Sequence, residues 1–244
     1  MDRFVTKGAF RTPRAPEAVL YEQPGIRLLQ RDFREHAAVI DRVVADAKPK
    51  LTVKPPIFFM GEERRQQRNV GFFSDESSGY AYSGQKIDAK PLSDSMREIL
   101  RVLSDEYGIA FNGLLVNRYA DGAEYVSAHG DDEKGLDKGA GVVIVSWGAE
   151  RLFRLRKKAP NETPKDPKLF ETNTLPYHAL QMEGDAFQTT LKHEIPIQKR
   201  VKAERVSITA RRHLPDYEGI LATIGPSAPR AGEKRPRERE GEEA

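Results

Sequence analysis

The sequence predicts a mainly β protein with flanking helices, and three observations support this. After Asn112, short runs rich in β-branched and aromatic residues follow one another, with polar or Gly/Pro stretches between them. Two earlier stretches instead repeat apolar residues every three or four positions. Hydrophobic residues make up 38% of the 244 residues, which is enough to build a core. Short strands in succession favour an antiparallel sandwich or barrel.

The elements follow from these patterns in chain order. The apolar period predicts an amphipathic helix over residues 28–47 and a second helix that begins after Pro91 and ends near Gly108. Residues 55–84 mix aromatics, arginines and glycines, which is typical of hairpins. Strands are predicted over residues 114–119, 141–147, 152–155, 179–182, 185–191 and 205–211.

The chain divides into four predicted segments. Residues 1–24 lack periodicity and carry several prolines, so we expect a flexible arm. Residues 25–110 form an N-terminal extension, and residues 111–214 form the β core. Residues 225–244 contain no apolar side chain larger than alanine, which predicts a disordered charged tail.

Composition excludes several function classes. The chain has no cysteine, which rules out disulfides, Cys-ligated zinc and a cysteine nucleophile. Any metal must therefore be held by histidine and carboxylate. No apolar run is long enough to cross a membrane, and we expect a soluble intracellular protein. The net charge of +3 indicates nothing about partners by itself.

A candidate metal site begins at His129-Gly130-Asp131, in a predicted loop after a strand. Taken alone, this pattern is more typical of a solvated loop. His193 follows in a later β segment, and two imidazoles with one carboxylate form the facial triad that suits Fe(II).

The last predicted strand carries a second pattern. Side chains alternate between the two faces of a strand, so Arg205, Ser207, Thr209 and Arg211 share one face. If that face lines a barrel interior, two guanidiniums point inward. Buried cations need anionic partners, and a dicarboxylate would supply them.

The order and spacing of these residues resemble the AlkB family of Fe(II)/2-oxoglutarate dioxygenases. The resemblance covers about residues 55–214 and is nearest to the eukaryotic DNA-repair subtype. The matching stretches are residues 115–122 (LVNRYADG), 129–133 (HGDDE), 146–149 (SWGA), His193, 196–201 (PIQKRV) and 205–211 (RVSITAR).

The resemblance implies a double-stranded β-helix of the jelly-roll type, with Fe(II) bound by His129, Asp131 and His193. It assigns 2-oxoglutarate to Asn117, Tyr119, Arg205, Thr209 and Arg211, whereas Ser207 replaces the family's usual Asn. The implied activity is oxidative demethylation of N1-methyladenine and N3-methylcytosine in DNA by a monomer. The reaction consumes 2-oxoglutarate and O2 and releases succinate, CO2 and formaldehyde.

The resemblance also implies a substrate pocket for a flipped base, within a nucleotide-recognition lid in the N-terminal extension. In that pattern Tyr82 stacks on the base, Tyr80 and Glu133 hydrogen-bond its edge, and Arg65 grips the damaged strand. A wedge that fills the gap in the duplex corresponds to Phe58, Phe59 or Met60.

Further predictions concern partners. Two basic runs, residues 151–158 and 192–202, either track a phosphate backbone or form a solvated face. The peptide Arg3-Phe4-Val5-Thr6-Lys7 resembles the motif by which the repair subtype binds the sliding clamp PCNA, although Thr6 departs from it. We expect a nuclear protein.

Two alternatives stay open at this point. The same chemistry could act on N-methylated RNA, and a preference for single-stranded RNA over duplex DNA would indicate this. A degenerate barrel could also serve as a non-catalytic nucleic-acid or clamp-binding module. The presence of all three metal ligands and both arginines argues against that second alternative.

Overall fold

The computed structural model describes residues 17–59, 62–82, 85–133, 135–158 and 168–214. The predicted mainly β fold with flanking helices is confirmed. The strands within these ranges are β1 (Glu17–Gln23), β2 (Ile26–Asp32), β3 (Pro56–Phe59), β4 (Glu62–Arg65), β5 (Asn69–Phe73), β6 (Gly79–Tyr82), β7 (Gln85–Asp88), β8 (Gly113–Tyr119), β9 (Val126–His129), β10 (Val142–Gly148), β11 (Arg151–Lys157), β12 (Lys168–Thr174), β13 (His178–Glu183), β14 (Leu191–Ile195) and β15 (Arg205–Arg211). The α-helices are α1 (Ala37–Ala47), α2 (Asp94–Tyr107) and α3 (Phe187–Thr190).

Two antiparallel sheets face each other, as in a jelly roll. The large sheet has the order β1-β2-β13-β10-β15-β8-β5, and the small sheet has the order β12-β11-β14-β9. Side chains from both sheets, among them Ile144, Phe153 and Leu180, form one core between them. The hairpins β3-β4 and β6-β7 are separate from both sheets.

A second core covers the outer face of the large sheet. Helices α1 and α2 pack there, with Val43, Ile99 and Leu103 buried against β8, β10 and β15. Helix α2 is confirmed: the Ser93 hydroxyl accepts a hydrogen bond from Met96 N, and Gly108 ends the helix in a left-handed conformation with φ of 67°. Strand β15 therefore lies between two buried layers, and all seven of its residues are buried.

The helix predicted over residues 28–47 is wrong in its first part. Residues 26–32 form β2, and α1 begins only at Ala37. Because β2 is paired on both sides and covered on both faces, its apolar residues do not alternate strictly. A strand buried on both faces produces apolar runs that resemble a helical period.

The strand predicted over residues 185–191 is also wrong. A turn at Gly184, where φ is 108°, leads into the single turn of α3, and the strand begins at Leu191. Phe187 is fully buried from that helical turn, which explains why its segment has an apolar, strand-like pattern. His129, predicted in a loop, is the last residue of β9.

The predicted segment boundaries differ from the structure. Residues 17–23, assigned to a flexible arm, form β1 and pair along β2. Strands β1, β2 and β5 belong to the same sheet as β8, β10 and β15, so the extension over residues 25–110 and the core share one sheet. Residues 1–16, with the clamp-like peptide, and the tail over residues 225–244 lie outside the described residues. No helix in the described ranges is long and apolar enough to cross a membrane.

Candidate metal and cosubstrate site

The three predicted metal ligands come together at one end of the small sheet. His129 at the end of β9 lies opposite His193 in β14 in the strand register, and Asp131 follows two residues later. One ligand atom from each residue lies within 4.8 Å of the other two. Nε2 of His129 is 3.7 Å from Oδ1 of Asp131, and Nε2 of His193 is 4.0 Å from Oδ2. The small-sheet pairing therefore builds the cluster.

A hydrogen bond at Nδ1 of His129 leaves its Nε2 available to bind a metal. Nδ1 of His129 lies 2.8 Å from the carbonyl oxygen of Ser127, and a carbonyl can only accept. The proton of the neutral imidazole is thus on Nδ1, and Nε2 presents a lone pair toward Asp131. Metal-binding histidines commonly donate their other ring N–H to a backbone carbonyl in this way, which fixes the tautomer and the orientation of the ring.

The electrostatics keep the cluster in its ligating protonation state. Burial lowers the pKa of His193 to about 3, with further lowering by His129 and Arg211. Burial also lowers the pKa of His129. The charge of Asp131 raises that pKa, whereas the guanidiniums of Arg68 and Arg211 lower it further. Burial acts to raise the pKa of Asp131, but the guanidinium of Arg211 outweighs it and lowers the value. Two neutral imidazoles and one carboxylate result, which fit Fe(II).

Asp131 is fixed from two sides. Nη2 of Arg211 lies 2.7 Å from its Oδ1, and its backbone N–H donates to Oε1 of Gln188 at 2.9 Å. A Cβ atom at Gly130 would lie 2.7 Å from the carbonyl oxygen of Gln188. The tight approach of α3 to this loop therefore requires glycine between His129 and Asp131.

A cavity opens beside the cluster, between the two sheets. Paired residues on β15 and β8 form one wall of the cavity: Arg205 lies opposite Tyr119, and Ser207 lies opposite Asn117. The other lining residues include Arg68, Leu115, Val126, Ile144, Phe153, Ile195, Thr209 and Arg211 together with the three cluster residues. Alternation along β15 thus turns its polar face to the cavity, while Val206, Ile208 and Ala210 face the helices.

Arg205 is held rigidly in this wall. Its Nε donates to Oγ1 of Thr174 at 3.1 Å, and its Nη2 donates to Oγ of Ser146 at 3.0 Å. The guanidinium carbons of Arg205 and Arg151 lie 5.5 Å and 5.6 Å from the Tyr119 ring centroid, so the ring is flanked by two cations. Among the described side chains, Nη1 of Arg205 is a buried donor without a hydrogen-bond partner.

The cavity is suited to an anion. Its described lining contains three arginines, Arg68, Arg205 and Arg211, and one carboxylate, that of Asp131. Charged groups are rarely buried unless they are paired, so this excess of positive charge in the lining favours an anionic ligand. The unsatisfied donor of Arg205 and the amide and hydroxyl groups nearby fit a carboxylate of 2-oxoglutarate.

Comparisons with known proteins agree with this geometry. The family model described as 2OG-Fe(II) oxygenase superfamily matches residues 28–211. The chain belongs to this superfamily. The name of this superfamily contains both predicted ligands, Fe(II) and 2-oxoglutarate. The His129-Asp131-His193 cluster fits the metal.

Individual relatives of this superfamily member confirm the resemblance to the AlkB family. The chain is 33% identical over 149 residues to DNA oxidative demethylase ALKBH2 of Mus musculus, covering 61% of this chain and 62% of that protein. It is 31% identical over 194 residues to alpha-ketoglutarate-dependent dioxygenase alkB homolog 3 of Bos taurus, covering 77% and 65%. The chain thus spans less than two thirds of either relative. A solved structure of OsALKBH1, at 16% identity and a TM-score of 0.52, matches the fold over 79% of this chain and all of that chain.

The predicted substrate residues of this oxygenase-family chain occupy three places. Glu133 lies near the cluster, with Oε1 3.7 Å from Nη1 of Arg211. Tyr80 and Tyr82 lie on β6, where their backbones pair with Ile87 and Gln85. Arg65 is exposed at the end of β4. Of the predicted wedge residues, Phe58 and Phe59 lie on β3, and Met60 lies outside the described residues.

The arginines of the first basic run have partners within the described part of the protein. Arg151 is 1% exposed and donates to the carbonyl oxygens of Asp121, Glu124 and Pro196. Arg154 and Arg156 pair with Glu194 on the neighbouring strand. These three arginines bind partners within the protein, and those partners cannot be identified from the sequence of this run alone. In the second run Lys192 is buried, whereas Lys199, Arg200 and Lys202 are exposed.

The sequence missed four residues that support this site: Arg68, Ser146, Thr174 and Gln188. Arg68 lines the cavity, Ser146 and Thr174 hold Arg205, and Gln188 holds Asp131. Each belongs to an element that is distant in sequence from the residue it supports. Only the strand pairing, and not the local pattern, could have identified them.

Proposed function

We propose that the protein is an Fe(II)- and 2-oxoglutarate-dependent dioxygenase that removes N-linked methyl groups from bases in DNA. The observation that carries the proposal is the His129-Asp131-His193 cluster beside a cavity with surplus buried arginine charge. Support for the substrate class comes from the relatives named as ALKBH2 DNA oxidative demethylases in Mus musculus and Homo sapiens. N1-methyladenine and N3-methylcytosine are the proposed lesions.

The residues of the chain would divide the work as follows. His129, Asp131 and His193 would hold Fe(II), and Arg205 and Arg211 would bind 2-oxoglutarate with Asn117, Tyr119 and Thr209. Bound together, the metal and cosubstrate supply the oxidation of the methyl carbon by O2, with release of succinate, CO2 and formaldehyde.

The protein contributes position and electrostatics to this chemistry. Arg211 pairs with Asp131 and keeps the carboxylate ionised, while Ser127 fixes the tautomer of His129. Asp131 and His193 are 2% and 5% exposed, so bulk water has little access to the ligand atoms. These contacts hold the side chains of Asp131 and His129 in place before the substrate binds, which lowers the entropic cost of bringing the reacting groups together.

The substrate would enter as a flipped base, because a methyl group on the Watson–Crick edge is inaccessible within a duplex. Tyr80, Tyr82, Glu133 and Arg65 are the proposed contacts. We further propose a monomer acting in the nucleus, with Arg3-Phe4-Val5-Thr6-Lys7 as a sliding-clamp peptide. A pull-down of PCNA with the full chain and with a Phe4→Ala variant tests the clamp proposal.

Mass spectrometry of methylated oligonucleotides tests the main proposal. The protein is incubated with Fe(II), ascorbate and 2-oxoglutarate and with single-stranded DNA, duplex DNA or RNA carrying N1-methyladenine. We expect loss of the methyl group from DNA, no loss without 2-oxoglutarate, and no loss with His129→Ala. Demethylation confined to RNA would replace the DNA proposal, and the absence of any turnover would favour a non-catalytic module.

A further inference from the structure

Arg68 is a buried guanidinium that the proposed function leaves without a role. It lies immediately before β5, is 7% exposed and lines the cavity. Its Nε donates to Oδ1 of Asn117 at 2.8 Å. Burying a guanidinium is costly, so this contact requires an explanation.

The strand pairing explains how Arg68 reaches Asn117. Val70 lies opposite Asn117 and Asn69 lies opposite Arg118, so the same register places Arg68 opposite Tyr119. Directly opposed residues of an antiparallel pair share a face. Arg68 therefore belongs to the same row as Tyr119 and Arg205, and Asn117 is its diagonal neighbour.

The chemistry of the contact fixes the orientation of the Asn117 amide. An arginine N–H can only donate, whereas the asparagine amide has one accepting oxygen and one donating NH2 group. Oδ1 must therefore face Arg68, and Nδ2 points away from it. Rotating the amide by half a turn would bring two donors together and lose the hydrogen bond.

We propose that Arg68 is a positioning residue for the cosubstrate, which rests on the proposed function. By holding Oδ1 of Asn117, it presents Nδ2 as a donor to a carboxylate oxygen of 2-oxoglutarate in the cavity. Arg68 acts through Asn117 and not by contact with the reacting atoms.

A double-mutant cycle tests this inference. The dissociation constant of 2-oxoglutarate is measured by calorimetry with Mn(II)-loaded protein for Arg68→Met, Asn117→Ala and the double variant. We expect Arg68→Met to weaken binding about 10-fold, as for loss of a charge-assisted hydrogen bond. In the Asn117→Ala background we expect the same change to have less than about a 2-fold effect. Arg101→Met on the exposed surface of α2 is the control and leaves the constant unchanged.

The outcomes separate positioning from other roles. An equal weakening in both backgrounds would mean that Arg68 contacts the ligand directly, and no weakening would mean that Asn117 is oriented without it; either result overturns the inference. If circular dichroism shows that Arg68→Met does not fold, Arg68→Leu is used in the same cycle, because leucine also removes every hydrogen-bond donor at this position. Failure of the unsubstituted protein to bind 2-oxoglutarate would instead overturn the proposed function, and this inference with it.

Discussion

Removing the Asp131 carboxylate should affect metal binding and folding stability together, and the size of each effect follows from its contacts. Asp131 is 2% exposed, and its Oδ1 lies 2.7 Å from Nη2 of Arg211. In Asp131→Ala the guanidinium of Arg211 loses this ionised partner in a buried place. Breaking one side of a buried ion pair costs about 3–5 kcal/mol.

Asp131→Asn separates the two effects. The asparagine keeps an accepting oxygen of similar position for Arg211 but loses the negative charge, so we expect a smaller loss of stability, about 1–2 kcal/mol. Metal affinity should fall in both variants. Changes in residues that only support metal ligands cost about 10–100-fold in affinity, so loss of a ligand should exceed about 100-fold.

Urea unfolding of the metal-free protein at neutral pH and Mn(II) binding by calorimetry measure the two quantities. Succinate formation with methylated DNA should fall to background in both variants. A variant that still binds Mn(II) like the unsubstituted protein would refute the ligand assignment. Equal stability of Asp131→Ala and the unsubstituted protein would instead refute the argument that Arg211 depends on this carboxylate.

Two further substitutions test the support of the site. Arg205→Lys removes the planar guanidinium that donates to Thr174 and Ser146. We expect calorimetry to show 2-oxoglutarate binding at least about 10-fold more weakly and Mn(II) binding with unchanged affinity. An unchanged affinity for 2-oxoglutarate would contradict the assignment of Arg205. Gly130→Ala places a Cβ 2.7 Å from the Gln188 carbonyl oxygen, and urea unfolding should show a loss of about 1–3 kcal/mol in the free energy of unfolding. In the matched control Gly139→Ala the nearest contact of the new Cβ is at 3.4 Å, so its free energy of unfolding should change by less than about 0.5 kcal/mol. Similar stability of the two glycine variants would show that α3 shifts freely.

The sequence predicted the metal cluster because its residue types carry their chemistry wherever the chain places them. Two histidines and an aspartate in a chain without cysteine leave few metals to consider. Alternation along β15 could likewise be predicted, since its period of two needs no knowledge of the neighbouring strands. The prediction for β15 depends on local pattern alone, whereas the ligand assignment also depended on the resemblance to the AlkB family.

The basic run over residues 151–158 shows where local pattern fails. Arg154 and Arg156 share one face of β11, and the sequence alone suggests a solvated cationic face there. Their partners, among them Glu171 and Glu194, come from strands on either side, and Arg151 turns inward to backbone carbonyls. Charge neutralisation across a sheet depends on register, which the sequence of one strand does not contain.

The side of β9 on which the His129 side chain lies also depends on a neighbouring strand, here β14. Val126 and His129 both line the cavity, although residues three apart on a regular strand point to opposite faces. The pairing of β9 with β14 shifts here: His193 lies opposite His129, yet Ile195 lies opposite Val126, so β9 contains one extra residue. Such a bulge re-aims the side chains that follow it and is typical of strands beside active sites. Alternation counted along β9 alone would turn His129 away from Asp131, and the bulge brings its Nε2 to the metal cluster.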